Sequence, residues 1–261
     1  CWCVVYCRIT STYPEKTTVQ PLLIVKLGDF IPDLVTHRGD FESWISAGLG
    51  DVPVRVIDPR RGEALPQPGE VAAAVVTGSH SMVTDREVWS ETTARWLAGR
   101  VAEGMPVLGI CYGHQLLAHA LGGEAAWHPG GIEIGTVTLR KSDAAQRDPL
   151  FADLPECFPA HVVHRQTARR LPPGAECLAS SEFEPHHAFR VGDAAWGVQF
   201  HPEFDTVAMR GYIDQLADPL REGGADPERL AAAVTETEAA TSLLRRFARF
   251  VAERSMQPAI I

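Results

Sequence analysis

Residues 105–121, MPVLGICYGHQLLAHAL, decide the fold, because they lead an apolar run directly into a helical pattern. The first part predicts a buried strand, and the spacing of apolar residues in the last part predicts a helix. Cys111 falls between the two, with Gly109 and Gly113 on either side, as is typical of a sharp strand-to-helix turn. A thiol at a helix N-terminus faces the positive end of the helix dipole, which favours the nucleophilic thiolate.

Outward from this stretch, apolar runs alternate with amphipathic stretches, the pattern of a parallel sheet covered by helices. Strands are predicted at residues 22–27, 53–57, 71–77 and 106–110, and helices at 41–49, 87–103 and 115–121. Further on, short strands are predicted at 124–127, 134–140, 162–164, 176–179, 188–191 and 195–200, then helices at 206–216 and 228–253. We therefore predict an α/β fold with a mostly parallel central sheet, helices on both faces and a small antiparallel sheet in the later half.

Composition limits the classes of partner. The chain has 261 residues, 45% of them hydrophobic, which is ample for a sizeable core. Its net charge is −9, with 24 basic against 33 acidic residues, which disfavours nucleic acid and anionic membrane surfaces. No apolar run approaches the roughly 20 residues of a membrane-spanning helix. We expect a cytoplasmic protein that acts on a small molecule.

The six cysteines do not form a disulfide framework, since three crowd the first seven residues and the others are dispersed. A reducing compartment is expected. For Cys1, Cys3 and Cys7 we favour an extension or upstream sequence over metal ligands or lipid attachment at Cys1, because the sequence starts without Met.

Three segments are expected from the change of pattern along the chain. Residues 1–19 form an unstructured N-terminal extension, residues 20–220 a catalytic domain, and residues 221–261 a linker and a C-terminal helix packed on that domain.

A second motif, QFHPE at residues 199–203, follows the last predicted strand. Alternate residues of an extended chain share a face, so Glu203 can hold the imidazole of His201. A thiolate, a base and an orienting carboxylate are the groups that acyl transfer through a thioester requires. By itself Cys111 is as well explained as a buried core cysteine, and the surrounding motif favours the nucleophile.

An oxyanion site needs two N–H donors, and the turn at Cys111 offers that of Tyr112. A second donor can come from the small-residue loop at residues 77–80, TGSH, at the carboxyl end of the preceding strand. A plain strand-to-helix turn is the alternative for that loop. The pair His186 and His187, with His161 or His128, lacks the spacing of a metal site, so no metal and no cofactor is predicted.

Together the motif Gly109-x-Cys111-x-Gly113-x-Gln115 and the motif His201-Pro202-Glu203 resemble the class I glutamine amidotransferase family. The resemblance covers about residues 22–216 and implies a flavodoxin-like α/β sandwich. It implies a Cys111, His201 and Glu203 triad, oxyanion N–H groups from Gly78 or Ser79 and from Tyr112, and Gln115 beside the glutamine pocket. Within the family the chain most resembles the amidotransferase domain of GMP synthase and its stand-alone relatives. Residues 131–135 and 163–166 carry this resemblance.

Two segments depart from the pattern of those relatives. Residues 77–80 stand where Ser-Gly-Gly-Pro is usual, and His164-Arg165-Gln166 stands where His-Gly-Asp is usual. Because the second segment is expected to hold the amino-acid end of the substrate, we predict that His164, Arg165 and Gln166, with Gln115, bind substrate. The cationic Arg165 favours a carboxylate-bearing ligand other than free glutamine.

Three functions remain open from the sequence. The first is a glutaminase that passes ammonia to a separate acceptor subunit, because the 58 residues after Glu203 are too few for a synthetase domain. The second is a stand-alone γ-glutamyl hydrolase or peptidase, which would use the same thioester. The third, a non-catalytic interaction protein, is disfavoured by the complete Cys111, His201 and Glu203 set.

Overall fold

The computed structural model describes residues 20–32 and 39–256. The predictions for Cys1, Cys3 and Cys7 and for the extension at residues 1–19 lie outside the described residues.

One nine-stranded sheet forms the centre of the fold, in the order β2-β1-β3-β4-β11-β10-β9-β6-β7, and β5 and β8 form a separate antiparallel pair. The strands are β1 (Leu22–Val25), β2 (Val54–Ile57), β3 (Ala73–Val76), β4 (Val107–Ile110), β5 (Glu124–Trp127), β6 (Glu133–Lys141), β7 (Cys157–His164), β8 (Gln166–Arg170), β9 (Ala175–Ser180), β10 (Ala188–Val191) and β11 (Ala195–Val198). The helices are α1 (Phe41–Leu49), α2 (Val88–Ala102), α3 (Tyr112–Ala120), α4 (Thr206–Gln215), α5 (Ala217–Glu222), α6 (Pro227–Ala232) and α7 (Glu238–Met256).

The parallel half of the sheet consists of β2, β1, β3, β4 and β11. Every residue of β1, β3, β4 and β11 is buried, as expected for strands covered on both faces. In the pairing of β11 with β4, Val198 lies opposite Ile110, and the Cys111 N–H donates to Val198 O at 2.8 Å. The chain after Ile110 and the chain after Val198 therefore leave the sheet side by side at the same edge.

Helices cover both faces of the sheet, as predicted. On one face, Ile45 of α1 and Leu244 and Phe247 of α7 pack on the strands. On the other face, Leu97 of α2 and Leu116 of α3 do the same. A third cluster of apolar side chains, at the edge where Cys111 lies, joins α4 to the loop before α1 through Phe30, Phe41, Phe204 and Tyr212.

The prediction for the C-terminal region was wrong in detail. The helix expected at residues 228–253 is two helices, α6 and α7, because Val234 and Thr237 turn into the protein and interrupt the helical path. Thr237 O accepts the first bond of α7, from Thr241 N–H at 2.9 Å, so Thr237 is the N-cap. Helix α5 and strand β8 were not predicted. The sequence also did not predict that the sheet is continuous, with β10 joining the antiparallel half to β11.

Within residues 20–32 and 39–256, no helix combines the length and the apolar character that a membrane span requires.

Candidate active site

Cys111 lies in the turn between β4 and α3 with φ 50° and ψ −99°, a backbone conformation that L-residues rarely adopt. The flanking glycines make this turn possible. A Cβ atom on Gly109 would lie 2.4 Å from Gly113 O, and a Cβ atom on Gly113 would lie 2.5 Å from Val76 O. Both contacts are with backbone, so neither position has room for a side chain. The predicted sharp turn is confirmed, and its glycines are needed for close packing.

His201 follows β11 and is fixed from three directions. Its N–H donates to His161 O at 2.8 Å, its ring stacks on Phe204 with centroids 4.1 Å apart, and its Nδ1 lies 2.7 Å from Glu203 Oε1. The His201 residue is 2% exposed, and the Glu203 side chain is fully buried. The carboxylate therefore fixes the ring orientation and leaves Nε2 for another group.

Charge keeps His201 protonated despite its burial. Burial by itself would lower its pKa, but the negative charge of Glu203, the neighbouring Cys111 and the hydrogen bond to Glu203 raise the pKa to about 10. Cys111 Sγ also lies 3.6 Å from Val163 O. The arrangement is suited to a thiolate paired with an imidazolium, the activated form of a nucleophilic cysteine.

The loop after β3 lies against this pair. A Cβ atom on Gly78 would be 3.2 Å from His201 Cε1 and 3.8 Å from Cys111 Cβ. Tyr112 opens α3, where the first N–H groups of a helix lack intrahelical partners. The Tyr112 side chain points the other way, with Oη 2.7 Å from Ser90 Oγ. The structure thus places Gly78, Ser79 and Tyr112 near Cys111. Backbone from the loop after β3 and from the start of α3 therefore lies beside the thiol.

A buried polar network forms another wall of the site. His164 Nε2 lies 2.8 Å from Glu133 Oε2, and His164 Nδ1 lies 3.0 Å from Gln166 O. Gln115 Nε2 donates to the same Gln166 O at 2.7 Å and to Gln199 Oε1 at 3.0 Å. Both amide hydrogens of Gln115 are thus used within the protein, and only its Oε1 is left for a ligand.

Gln166 and Arg165 complete that wall. The Gln166 side chain donates from Nε2 to Thr84 Oγ1 at 2.6 Å, and its buried Oε1 has no hydrogen-bond partner among the residues that the structure describes. Arg165 is exposed and forms no salt bridge with the described residues. Sequence reasoning missed Glu133, Gln199 and Thr84, although the first two belong to motifs that it had singled out.

A cavity of about 340 Å³ opens beside Cys111, within the size range of small-molecule sites. Its lining includes all four predicted substrate-binding residues, together with His201, Ser79 and Tyr112. Apolar side chains form much of the remainder, among them Ile31, Ile132 and Leu216. No Asp or Glu is among the described residues that line it.

One group of side chains has the composition of a metal site. Ligand-type atoms of Glu133, His164 and His187 lie within 4.8 Å of one another, and all three residues are buried. Hydrogen bonds already account for them, since His164 and Glu133 are paired at 2.8 Å and His187 Nε2 lies 3.1 Å from Ser181 Oγ. Burial, and then the charge of His164, lower the pKa of His187 to about 2, so this imidazole is neutral.

Comparisons with known proteins find relatives both in sequence and in fold. Two glutamine-hydrolysing GMP synthases are similar in sequence: one from a Parafrankia strain is 32% identical over 186 residues, and one from Thermomicrobium roseum is 45% identical over 115 residues. These alignments cover 70% and 42% of this chain, but only 32% and 21% of the relatives. The chain therefore spans a third or less of the length of these curated relatives.

Among solved structures, a glutamine amidotransferase from Thermotoga maritima is similar in fold, with a TM-score of 0.68 and 23% identity over 90% of this chain and 99% of that one. A glutamine amidotransferase from Methylobacillus flagellatus has a TM-score of 0.67 and 25% identity, over 91% of this chain and 94% of that one. The family model of the class I glutamine amidotransferases matches residues 78–213, more than half of the chain. The protein accordingly belongs to the class I glutamine amidotransferase family.

Proposed function

We propose that this protein hydrolyses the side-chain amide of glutamine to glutamate and ammonia through a thioester on Cys111. The observation that carries the proposal is the buried His201–Glu203 pair at 2.7 Å, with the imidazolium beside Cys111 and a cavity open to the thiol. Membership of the family supports the same reaction.

The steps follow from these positions. The Cys111 thiolate attacks the amide carbon of the substrate, and the amide oxygen takes up negative charge. This charge is stabilised by the backbone N–H groups of Ser79 or Gly78 and of Tyr112. His201 gives its proton to the leaving nitrogen, the C–N bond breaks, and ammonia departs. His201 then takes a proton from water as the water attacks the thioester carbon, and glutamate leaves with the thiolate restored. Glu203 orients His201 throughout.

The amino-acid end of the substrate would bind at the wall that the polar network forms. Gln166 Oε1, buried without a partner, is an acceptor for the substrate ammonium group, and Arg165 is a cation for its carboxylate. His164 and Gln115 support this wall through Gln166 O. Ammonia would pass to a separate acceptor enzyme in the cytoplasm, and the similarity to glutamine-hydrolysing GMP synthases supports such an acceptor.

We also propose that residues 20–220 form the amidotransferase domain and that residues 221–261 are an addition to it. Buried contacts of Leu243, Leu244 and Phe247 of α7 support a helix packed on the domain.

The test is the production of ammonia and glutamate from glutamine by the purified chain. We expect Cys111→Ala to lower turnover by about 10³-fold or more, because it removes the nucleophile. An electrophilic glutamine analogue should add one covalent group to Cys111, seen by mass spectrometry. Full turnover by Cys111→Ala would reject the thioester mechanism.

A second candidate, hydrolysis of γ-glutamyl conjugates, is favoured by the unpaired Arg165 and by the lack of carboxylates among the described cavity residues. The same thioester would form, with an amine in place of ammonia as leaving group. The comparison is kcat/KM for glutamine, for γ-glutamylglycine and for the uncharged γ-glutamyl methylamide. In this candidate Arg165 binds the carboxylate of the leaving glycine instead of the α-carboxylate, so Arg165→Ala should impair γ-glutamylglycine more than the other two substrates. If Arg165 binds the α-carboxylate, all three substrates should be impaired alike. Arg169→Ala, which changes an exposed arginine that does not line the cavity, is the matched control. Efficient glutamine hydrolysis without peptide cleavage would exclude this candidate.

A further inference from the structure

A hydrogen bond crosses one side of the cavity, from the loop after β3 to helix α4. His80 Nε2 lies 2.7 Å from Tyr212 Oη, and the two rings meet edge-on with centroids 5.7 Å apart. Both residues line the cavity that contains Cys111 and His201. His80 occupies the position at which the resembling domains usually carry proline, so this contact belongs to this chain's own departure from the pattern.

Tyr212 is a rigid anchor for this bond. The residue is 5% exposed, and its ring stacks on Phe204 at 5.5 Å and meets Phe30 edge-on at 4.9 Å. Phe204 is the same ring that stacks on His201 at 4.1 Å. The position of Tyr212 is therefore tied to that of the proton carrier.

The other end of the loop is held separately. Thr77 Oγ1 accepts from Leu27 N–H at 2.9 Å and donates to Gly78 O at 2.9 Å. Gly28 packs so closely that a Cβ atom there would lie 2.6 Å from both Gly78 O and Ser79 Cα. The backbone of Gly78 and Ser79 thus lies between one support at Thr77 and Gly28 and a second at His80.

We propose that His80 and Tyr212 are positioning residues that hold the backbone N–H groups of the Gly78–Ser79 segment toward the oxyanion formed at Cys111. The proposal rests on the function proposed above. Neither residue transfers a proton in it: His80 fixes the loop, and Tyr212 fixes His80. An oxyanion donor must be in place before charge develops, and small displacements weaken it strongly.

The pair is uncharged near neutral pH, so its bond should persist across the working range. Burial, and then the positive charge of His201, lower the pKa of His80, which Asp29 and Asp40 partly oppose. Burial, and then the negative charge at Cys111, raise the pKa of Tyr212 well above its ordinary value. The hydrogen bond between the imidazole and the hydroxyl uses one proton, and neither group gains or loses charge.

The experiment uses Tyr212→Phe, His80→Gln and the double variant, assayed with the substrate that the wild-type chain hydrolyses. Tyr212→Phe keeps the ring and its packing, so it should fold. We expect each single variant to lower kcat by about 10- to 100-fold, with KM changed less than about 2-fold. The double variant should lose no more than the single ones, because both remove the same support.

A second measurement separates this role from a general disturbance of the site. Alkylation of Cys111 by iodoacetamide requires the thiolate and its imidazolium but no oxyanion donor, so its rate should stay unchanged in all three variants. Ser142→Ala is the control and should keep kcat, because it breaks a side-chain hydrogen bond of the same 2.7 Å length, to Cys177 O, away from the cavity lining.

Unchanged kcat, additive losses in the double variant, an equal loss in Ser142→Ala, or slower alkylation would each overturn the proposal. Full turnover by Cys111→Ala would instead reject the proposed function, so the two failures are distinguishable.

Discussion

At the scale of single residues, the conformation of Cys111 depends on two neighbours that have no side chain. Its positive φ is one of two among the described non-glycine residues, the other being Arg86. Strained backbone of this kind costs about 1–3 kcal/mol and persists only where the surroundings determine it. Gly109 and Gly113 provide that constraint, because a Cβ atom on either would lie only 2.4 or 2.5 Å from a backbone oxygen.

Gly109→Ala tests this constraint. The new methyl group would meet Gly113 O, which belongs to the backbone of α3 and cannot move aside alone. We expect a lower free energy of unfolding by about 1–3 kcal/mol, and reduced alkylation of Cys111 as the turn shifts. Gly99→Ala is the control, because that position in α2 has open space and alanine favours helix. Equal stability of the two variants in urea would show that Gly109 is not needed for packing.

Glu203 and His201 should differ in what their loss costs. Glu203→Gln keeps a hydrogen-bond acceptor for His201 Nδ1 but removes the charge that raises the pKa of that imidazole to about 10. We expect His201 to lose its proton at lower pH, visible as a shifted pH profile of Cys111 alkylation. Turnover in Glu203→Gln should fall by roughly 10- to 100-fold. This loss is smaller than that expected for His201→Ala, because an orienting group contributes less than the proton carrier. Equal losses would mean that Glu203 does more than orient.

The turn at Cys111 and the strand that leads to His201 were predictable from sequence, because short motifs record such local surroundings. Their wider contacts were not. Gln115 was expected beside the pocket, where it lies, but its amide group bridges Gln166 and Gln199, which are 51 and 84 residues away. Contacts between segments so distant leave no periodicity in one sequence.

At the scale of elements, the pairing of β11 with β4 connects the two motifs. The parallel register brings the end of β11 beside the turn at Cys111, and the polar network then joins β6, β7 and α3 at the same wall. The sequence predicted each of these strands but not their neighbours in the sheet, because pairing depends on long-range closure rather than local pattern.

Glu133→Gln tests the wall. Both ring nitrogens of His164 face acceptors, Gln166 O and the Glu133 carboxylate. Loss of the carboxylate therefore removes one of the contacts that hold residues 164–166 in place. We expect KM for the substrate to rise several-fold with a smaller change in kcat, since the wall binds rather than reacts. Glu184→Gln is the control: it changes a buried carboxylate outside the cavity lining and should leave KM unchanged. A fall in kcat at constant KM would place Glu133 in the chemical step instead.

The last helix, α7, can be tested at the same scale. Phe247 is fully buried and meets Trp196 edge-on at 6.2 Å, whereas Phe250 is partly buried against the same ring. Phe247→Ala should lower the free energy of unfolding by about 3–5 kcal/mol, and Phe250→Ala by less. Urea denaturation measures both. Similar small losses would mean that α7 contributes little to the fold.

At the scale of the whole molecule, burial of neutral histidines in the antiparallel half and in α3 makes stability depend on pH. Burial is the main cause in each case: it lowers the pKa of His114 to about 3, of His161 to about 4 and of His187 to about 2. His201 has the opposite shift, to about 10. Histidine in an unfolded chain titrates near pH 6.5.

The signs follow from which state binds more protons. Below pH 6.5 the unfolded chain protonates these three histidines, which the folded chain keeps neutral, so together they should lower stability by at most about 4 kcal/mol per pH unit of acid. His201 contributes stability below pH 6.5 that is lost as pH rises toward 10.

His114, fully buried against Phe189, allows a direct test. His114→Gln should reduce the acid slope by up to about 1.4 kcal/mol per pH unit between pH 6 and 3. Leu117→Ala, in the same helix, should lower stability equally at every pH; an unchanged slope in His114→Gln, measured by urea denaturation across pH, would mean that His114 is protonated normally in the folded protein.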